Sequence, residues 1–414
     1  MKNVLEKWTK TSLILRIFIG LVIGAILGIA CPKLTGIAIL GDLFVGALRA
    51  VAPVLVFVLV ISSLANAKGS AAKNMRTVVI LYMITTFVGA IVAVLGSFAF
   101  PQVLVLTSAA TDVAPPSGVA EVLKNLLLNI VSNPIDSLVQ ANYIGILAWA
   151  IIFGMALKHA TATSKQFLQD LSEAVTMAVH WIIECAPFGI LGLVFNTVSS
   201  NGLSIFSTYG KLLLLLVGCM LFTALITNPL VIFFCARKNP YPLIFTCLKE
   251  SGLTAFFTRS SAANIPMNMD LCRRLGLNKD NYSVSIPLGA TINMDGAAIT
   301  ITVMTLATAH TLGITVDIPT AIILSFLSAI SACGASGVAG GSLLLIPLAC
   351  SLFGIPNEIA MQTVGVGFII GVIQDSVETA LNSSSDVAMT AAAEYYQRRK
   401  NGEDFELVPK NFEK

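Results

Sequence analysis

Phe257-Thr258-Arg259-Ser260-Ser261-Ala262-Ala263-Asn264-Ile265-Pro266 is a small, polar stretch inside an apolar segment whose two ends are both positively charged. Arg237, Lys238 and Lys249 precede it; Arg273, Arg274 and Lys279 follow. Short loops rich in lysine and arginine stay cytoplasmic. Segment 241–278 therefore enters and leaves on one side, and reads as a re-entrant hairpin with this stretch at its tip. Residues 283–309 then cross outward to a lysine-free loop at 310–317. The next forty positions, 318–357, carry no charge, and the following helix, 357–395, ends at Arg398-Arg399-Lys400. That helix crosses once, so 318–354 is a second hairpin, entered from outside, with the small residues of 331–342 at its tip.

Hairpin plus helix thus occurs twice, in opposite orientations. Such inverted repeats with glycine-interrupted segments at matching places point to a transporter with its site near the bilayer midplane. Non-helical backbone at that depth survives only where protein or a cavity surrounds it. Two facing tips imply a cavity between them.

Upstream, the pattern is simpler. The chain has 414 residues, 56% apolar and only 11% charged, with a net charge of +3. Soluble domains carry about 25% charged residues, so a cytosolic enzyme, a nucleic-acid binder and a disordered chain are excluded. Apolar runs of ~18 or more residues, enough to cross a ~30 Å core, place further helices near 12–30, 41–65, 77–99, 119–158 (long and broken), 170–199 and 209–236. The reading is an all-α polytopic membrane protein with eight transmembrane helices and two hairpins. Six helices occupy 1–240, the core 241–395, and a cytoplasmic tail 396–414. Lys2, Lys7, Lys10, Lys68, Lys73, Arg76, Lys158 and Lys165 cluster after alternate spans, which puts both termini inside. The apolar run behind the first lysines is long enough to be a first span rather than a signal peptide. The eight cysteines and three histidines are scattered, without metal-ligand spacing.

Ionisable residues within spans are costly and default to function. Asp375, Glu378, Thr379, Asn382 and Asp386 lie at offsets that share one helical face. Asn293-Met294-Asp295-Gly296 interrupts an otherwise uncharged span with poor helix formers. Unwound backbone there would aim carbonyl oxygens at a hard cation, with Asp295 and Asp386 supplying charge. All-oxygen ligation suggests Na⁺ rather than a transition metal.

Thr258-Arg259-Ser260-Ser261, Asn293-Met294-Asp295-Gly296, the glycine-rich tip 334–342 and the run from Asp375 to Asp386 together resemble the sodium:dicarboxylate (glutamate) symporter family, from about residue 12 to 395. The resemblance implies a homotrimer in the bacterial inner membrane. Spans 1, 2, 4 and 5 would form a scaffold; spans 3 and 6 would move with the core as an elevator. It also implies three sodium sites. One uses the carbonyls of Gly289, Asn293 and Asn382 with the Asp386 carboxylate. A second uses Thr291 with the carbonyls of Ala332, Cys333 and Ala335. The third uses Tyr82, Thr85, Thr86, Asn293 and Asp295. The substrate ammonium would meet Asp375, and its carboxylate Ser261, Asn382 and the Val338 backbone. Arg259, Ser260, Glu378 and Thr379 complete the implied substrate set.

Several positions depart from the family pattern, among them Val338-Ala339, where relatives often have a proline. Acidic-substrate members place an arginine one turn beyond the aspartate; here that position is Glu378, and a helping threonine becomes Ala297. A carboxylate facing a second substrate carboxylate would repel it strongly. A small neutral amino acid, serine or threonine, is therefore expected, with proton coupling or an acidic substrate as the alternative. Two other classes fit less well. Gly334-Ala335-Ser336-Gly337 matches a GxSG nucleophile motif, but no histidine follows His310 to act as base. An ion channel would also use carbonyl-lined loops, yet asymmetric carboxylates between inverted hairpins suit a closable site.

Overall fold

The computed structural model describes residues 11–66, 75–106, 124, 127–335, 340–409 and 412. Every regular element among them is helical. In order these are α1 (Leu13–Ala30), α2 (Ile39–Asn66), α3 (Met75–Ala99), α4 (Pro134–Val139), α5 (Tyr143–Leu157), α6 (Ala162–Glu184), α7 (Ala186–Asn201), α8 (Ile205–Phe222) and α9 (Asn228–Ala236). The second half holds α10 (Tyr241–Cys247), α11 (Leu253–Thr258), α12 (Ser261–Arg274), α13 (Lys279–Ile292), α14 (Asp295–Thr311), α15 (Ile318–Ala332), α16 (Ile346–Ser351) and α17 (Asn357–Lys400).

Among the described residues, five helical stretches are long and apolar enough to cross a membrane: Thr35–Asn66, Met75–Ala99, Ile205–Ala236, Lys279–Thr311 and Asn357–Lys400. The pair α6–α7, bent by 52°, makes a sixth. The chain is an all-helical polytopic membrane protein. Where one helix was expected at 170–199, the structure has two. Thr161 caps α6 by accepting the Ser164 N–H at 3.3 Å, which starts the helix eight residues early. Pro187, with no N–H to donate, opens α7 and breaks the run at Cys185. Of the long span expected at 119–158, the described residues 124 and 127–158 hold a helical stretch at 127–130, then α4 and α5, with breaks at 131–133 and 140–142. Helix α1 packs backbone to backbone on α7: a Cβ at Gly20 would fall 2.1 Å from the Pro187 carbonyl oxygen.

Segment 241–274 doubles back on itself as helices. Helices α10 and α11 run through a wide turn at Leu248–Gly252. The chain reverses at Arg259, in the left-handed region at φ 52°. Ser260 then caps α12, accepting the Ala263 N–H at 3.2 Å. Both limbs are tied to α17 by a buried amide cluster. Asn264 donates to Ser251 and Ser383, and Asn268 donates to Ser383. In the second hairpin, Asp317 caps α15 by accepting the Thr320 N–H at 2.8 Å. Its tip centre, 336–339, lies outside the described residues, and Val338 with it.

Helix α17 spans about 66 Å at 1.5 Å per residue, twice the hydrocarbon core, and runs to Lys400 rather than ending near 395. Beyond it, the described residues 401–409 pack against the core. Phe405 and Leu407 are buried. Phe405 stacks on Tyr395 with centroids 5.1 Å apart, and the Tyr395 hydroxyl donates to the Leu407 carbonyl at 2.9 Å. The Lys238 ammonium sits 4.4 Å above the Phe405 ring and also bonds its carbonyl. Apolar side chains in the tail give it a hold on the core that its charges obscured.

Candidate functional site

Helix α17 presents its polar face to two places where helical backbone ends: the tip of the first hairpin and the gap between α13 and α14. That gap falls at Asn293 and Met294, both in non-helical conformations, so the expected unwinding is present. Asn382 bridges it: its amide oxygen accepts the Gly296 N–H at 2.7 Å, and its carbonyl accepts from Asn293 at 3.4 Å.

On the hairpin side, Arg259 Nε lies 3.1 Å from Asp375 Oδ2, with both side chains buried. Asp375 Oδ1 accepts the Gly340 N–H at 3.2 Å, which joins the second hairpin to the pair. The cavity at this point, walled by Ile17, Ile183 and Phe368, is about 20 Å³, room for at most one water. A larger cavity of about 340 Å³ touches Arg259 and Ser260 from the side of Ser12, Thr176 and His180. Ser261 is buried at the first position of α12. The Thr379 hydroxyl donates to the Asp375 carbonyl at 2.7 Å, within its own helix.

Glu378 is buried beside this pair. Its Oε2 accepts from Thr300 at 2.7 Å, from Ser342 at 2.8 Å and from Gln374. Gln374 also donates to the Thr300 hydroxyl at 2.8 Å, which leaves that hydroxyl's proton for Glu378. Three donors on one oxygen suit an ionised carboxylate.

The cation candidates gather on the far side of the gap. Asp386 Oδ1 accepts from Asn293 at 2.9 Å, while Oδ2 is buried and accepts from nothing described. A buried carboxylate oxygen without a donor suits a cation ligand. Gly289 is required beside it, since a Cβ there would stand 2.7 Å from Asp386 Oδ1 and 2.8 Å from the Tyr82 hydroxyl. Asp295 accepts from Thr86 at 3.2 Å and from Asn228 at 3.1 Å. Thr85 donates to Asn293 Oδ1 at 3.4 Å. Thr85, Thr86, Asn293 and Asp295 are thus brought together as expected. The Thr85 hydroxyl also lies within reach of the Leu81 and Tyr82 carbonyls of its own helix, at 3.0 and 3.2 Å. The Tyr82 hydroxyl points elsewhere, 2.9 Å from the Thr390 hydroxyl and 3.2 Å from the Ser285 and Asp386 carbonyls. The Thr291 hydroxyl donates to the Leu288 carbonyl, and the Cys333 thiol contacts the Ile292 carbonyl at 3.6 Å. That contact places 332–335, with Ala332 and Ala335, against the end of α13.

Residues 13–395 match the Sodium:dicarboxylate symporter family. The chain belongs to that family. It is therefore a transporter and not an enzyme, which removes the protease reading of Ser336. Three relatives, the serine/threonine transporters SstT of Streptococcus agalactiae serotypes III, Ia and V, are each 60% identical over 395 residues, covering 95% of this chain and 98% of theirs. Sequence reasoning missed several members of this symporter's polar interior: Asn228, Thr300, Ser342, Gln374 and the Asn264–Asn268–Ser383 cluster. An amide within an apolar span was the available signal for Asn228.

Proposed function

We propose that this chain imports serine and threonine by symport with Na⁺. The observation that carries the neutral-substrate part is the charge inventory of the pocket. Arg259 is its one cation among the described residues and already faces Asp375, while Glu378 adds a second carboxylate. Two carboxylates against one guanidinium leave the described pocket with an excess of negative charge, which disfavours a further carboxylate on the substrate. A zwitterion fits: its ammonium takes the place of Arg259 against Asp375, and its carboxylate meets Ser261, Asn382 and the Val338 backbone.

Sodium binds at Asp386 and at Asp295, on opposite sides of Asn293, and a further ion at Thr291 with the 332–335 carbonyls. Asn382 serves the substrate with its amide and the ions with its carbonyl, so each ligand stabilises the geometry the other needs. Such coupling is reciprocal.

The rest of the reading follows the family. Eight helices and two hairpins span the bacterial cytoplasmic membrane with both termini inside. Three copies assemble on spans 1, 2, 4 and 5, and the remaining elements carry the site across as an elevator. Ile17, one turn from the basic start of α1, lines the Asp375 cavity, which supports an inward position of the core. Competition of labelled serine uptake by unlabelled amino acids tests the selectivity. Threonine should compete and aspartate should not. Strong inhibition by aspartate would defeat the neutral-substrate reading.

A further inference from the structure

Asn228 sits where an apolar residue would pack without cost. It lies at the end of a wide turn, Thr223–Thr227, in which the Asn228 N–H reaches back five residues to the Thr223 carbonyl. The extra residue rotates everything after it by about 100° relative to an unbroken helix. Pro229 follows with no N–H, and the Leu225 carbonyl four residues before it accepts from the Tyr241 hydroxyl at 3.3 Å instead. The rotation aims the Asn228 side chain into the interior, where it is 2% exposed. There Nδ2 donates to Asp295 Oδ2 at 3.1 Å. A carboxylate only accepts, so the NH₂ end of the amide must face it. The other end, Oδ1, is buried with no partner among the described residues. The adjoining cavity, reached by Ser384 and Ser385, is about 10 Å³, at the lower limit for one water. Packing alone would be served better by leucine, which leaves no orphaned oxygen.

We propose that Asn228 is a positioning residue for sodium binding at Asp295. It anchors Oδ2 of the carboxylate, so that Oδ1 faces the same point as the Thr85 and Thr86 hydroxyls. This rests on the reading of Asp295 as an ion ligand. Groups that hydrogen-bond a ligating carboxylate fix its rotation, and their loss costs about 10- to 100-fold in metal affinity. Asn228 reaches Asp295 from α9, Thr86 from α3. The site is therefore complete only when those helices and the α13–α14 gap are in register.

The test is a sodium titration of purified protein, read as ion-dependent thermal stabilisation, beside the sodium dependence of serine uptake. Asn228→Leu should raise the sodium concentration for half-maximal effect by about 10-fold, with the maximal uptake rate at saturating sodium retained. Asn228→Gln, which keeps the amide on a longer arm, should fall between the two. In an Asp295→Ala background, Asn228→Leu should add nothing, because the two residues act through one contact. The proposal is overturned if Asn228→Leu leaves the sodium titration unchanged while Asp295→Ala shifts it. It is also overturned if Asn228→Leu shifts the titration equally with and without Asp295, which would mark a packing defect. If Asp295→Ala itself has no effect, the ion-site reading fails instead, and the Asn228 role with it.

Discussion

Arg259 and Asp375 form a buried ion pair, Nε to Oδ2 at 3.1 Å, between the tip of one hairpin and the middle of the last helix. Arg259 adopts a left-handed backbone conformation to reach it, which costs about 1–3 kcal/mol for a residue other than glycine. The contact fills the place where a substrate ammonium would bind. On the proposed reading, an entering ammonium would compete with the Arg259 guanidinium for this carboxylate.

Asp375→Asn should abolish serine binding, because a neutral amide compensates a buried ammonium poorly. It should also lower stability, since it strands the Arg259 guanidinium, and breaking a buried pair costs about 3–5 kcal/mol. The double variant Asp375→Asn/Arg259→Gln separates the two effects. It should recover thermal stability without recovering binding, measured by ligand-induced thermal shift. Near wild-type binding by either variant would contradict the role of Asp375.

Asp386→Ala and Asp295→Ala should each raise the sodium concentration needed for half-maximal serine uptake, and weaken serine binding in step. Gly289→Ala should act on the same quantity without removing charge. Its methyl group would collide with the Asp386 carboxylate at 2.7 Å and displace it from the ion's position. Sodium titrations of uptake check all three; an unchanged titration in both aspartate variants would favour proton coupling.

Glu378→Arg combined with Ala297→Thr should lose serine transport and gain measurable aspartate binding. A guanidinium grips a carboxylate bidentately. The gain should be partial, because Thr300, Ser342 and Gln374, which now serve the Glu378 carboxylate, would be left around a cation. Labelled aspartate binding to the purified variant reads this directly.

Phe405→Ala should destabilise the protein by about 1–3 kcal/mol, less than a full core aromatic truncation. It removes the ring that stacks on Tyr395 and lies beneath Lys238. Truncation after Lys400 should cost at least as much. A thermal melt in detergent measures both, and no change would mean the segment only rests on the core.

The helical reversal within 241–278 and the break at Asn293 were legible because charge and glycine placement constrain an apolar chain tightly. Arg237 and Arg273 on one side of a 241–278 segment leave it no other path. The Asn293–Met294 break was visible because those residues make poor helix at mid-bilayer. The second partner of each carboxylate was hidden. Ser342, Thr300 and Gln374 meet Glu378 from three different elements, and nothing in their local sequence marks that convergence. The break at Cys185 and the tail packing through Phe405 were missed for a related reason: a proline in an apolar run and an aromatic in a charged tail act through tertiary context.

The most direct measurement is labelled serine uptake into proteoliposomes of the purified protein under an inward sodium gradient, compared with an equal potassium gradient and with a sodium-free proton gradient. The account predicts accumulation above equilibrium with sodium alone, collapsed by a sodium ionophore and shifted to higher sodium concentrations by Asp386→Ala. Accumulation driven by protons without sodium, or equilibration that ignores every gradient, would contradict it.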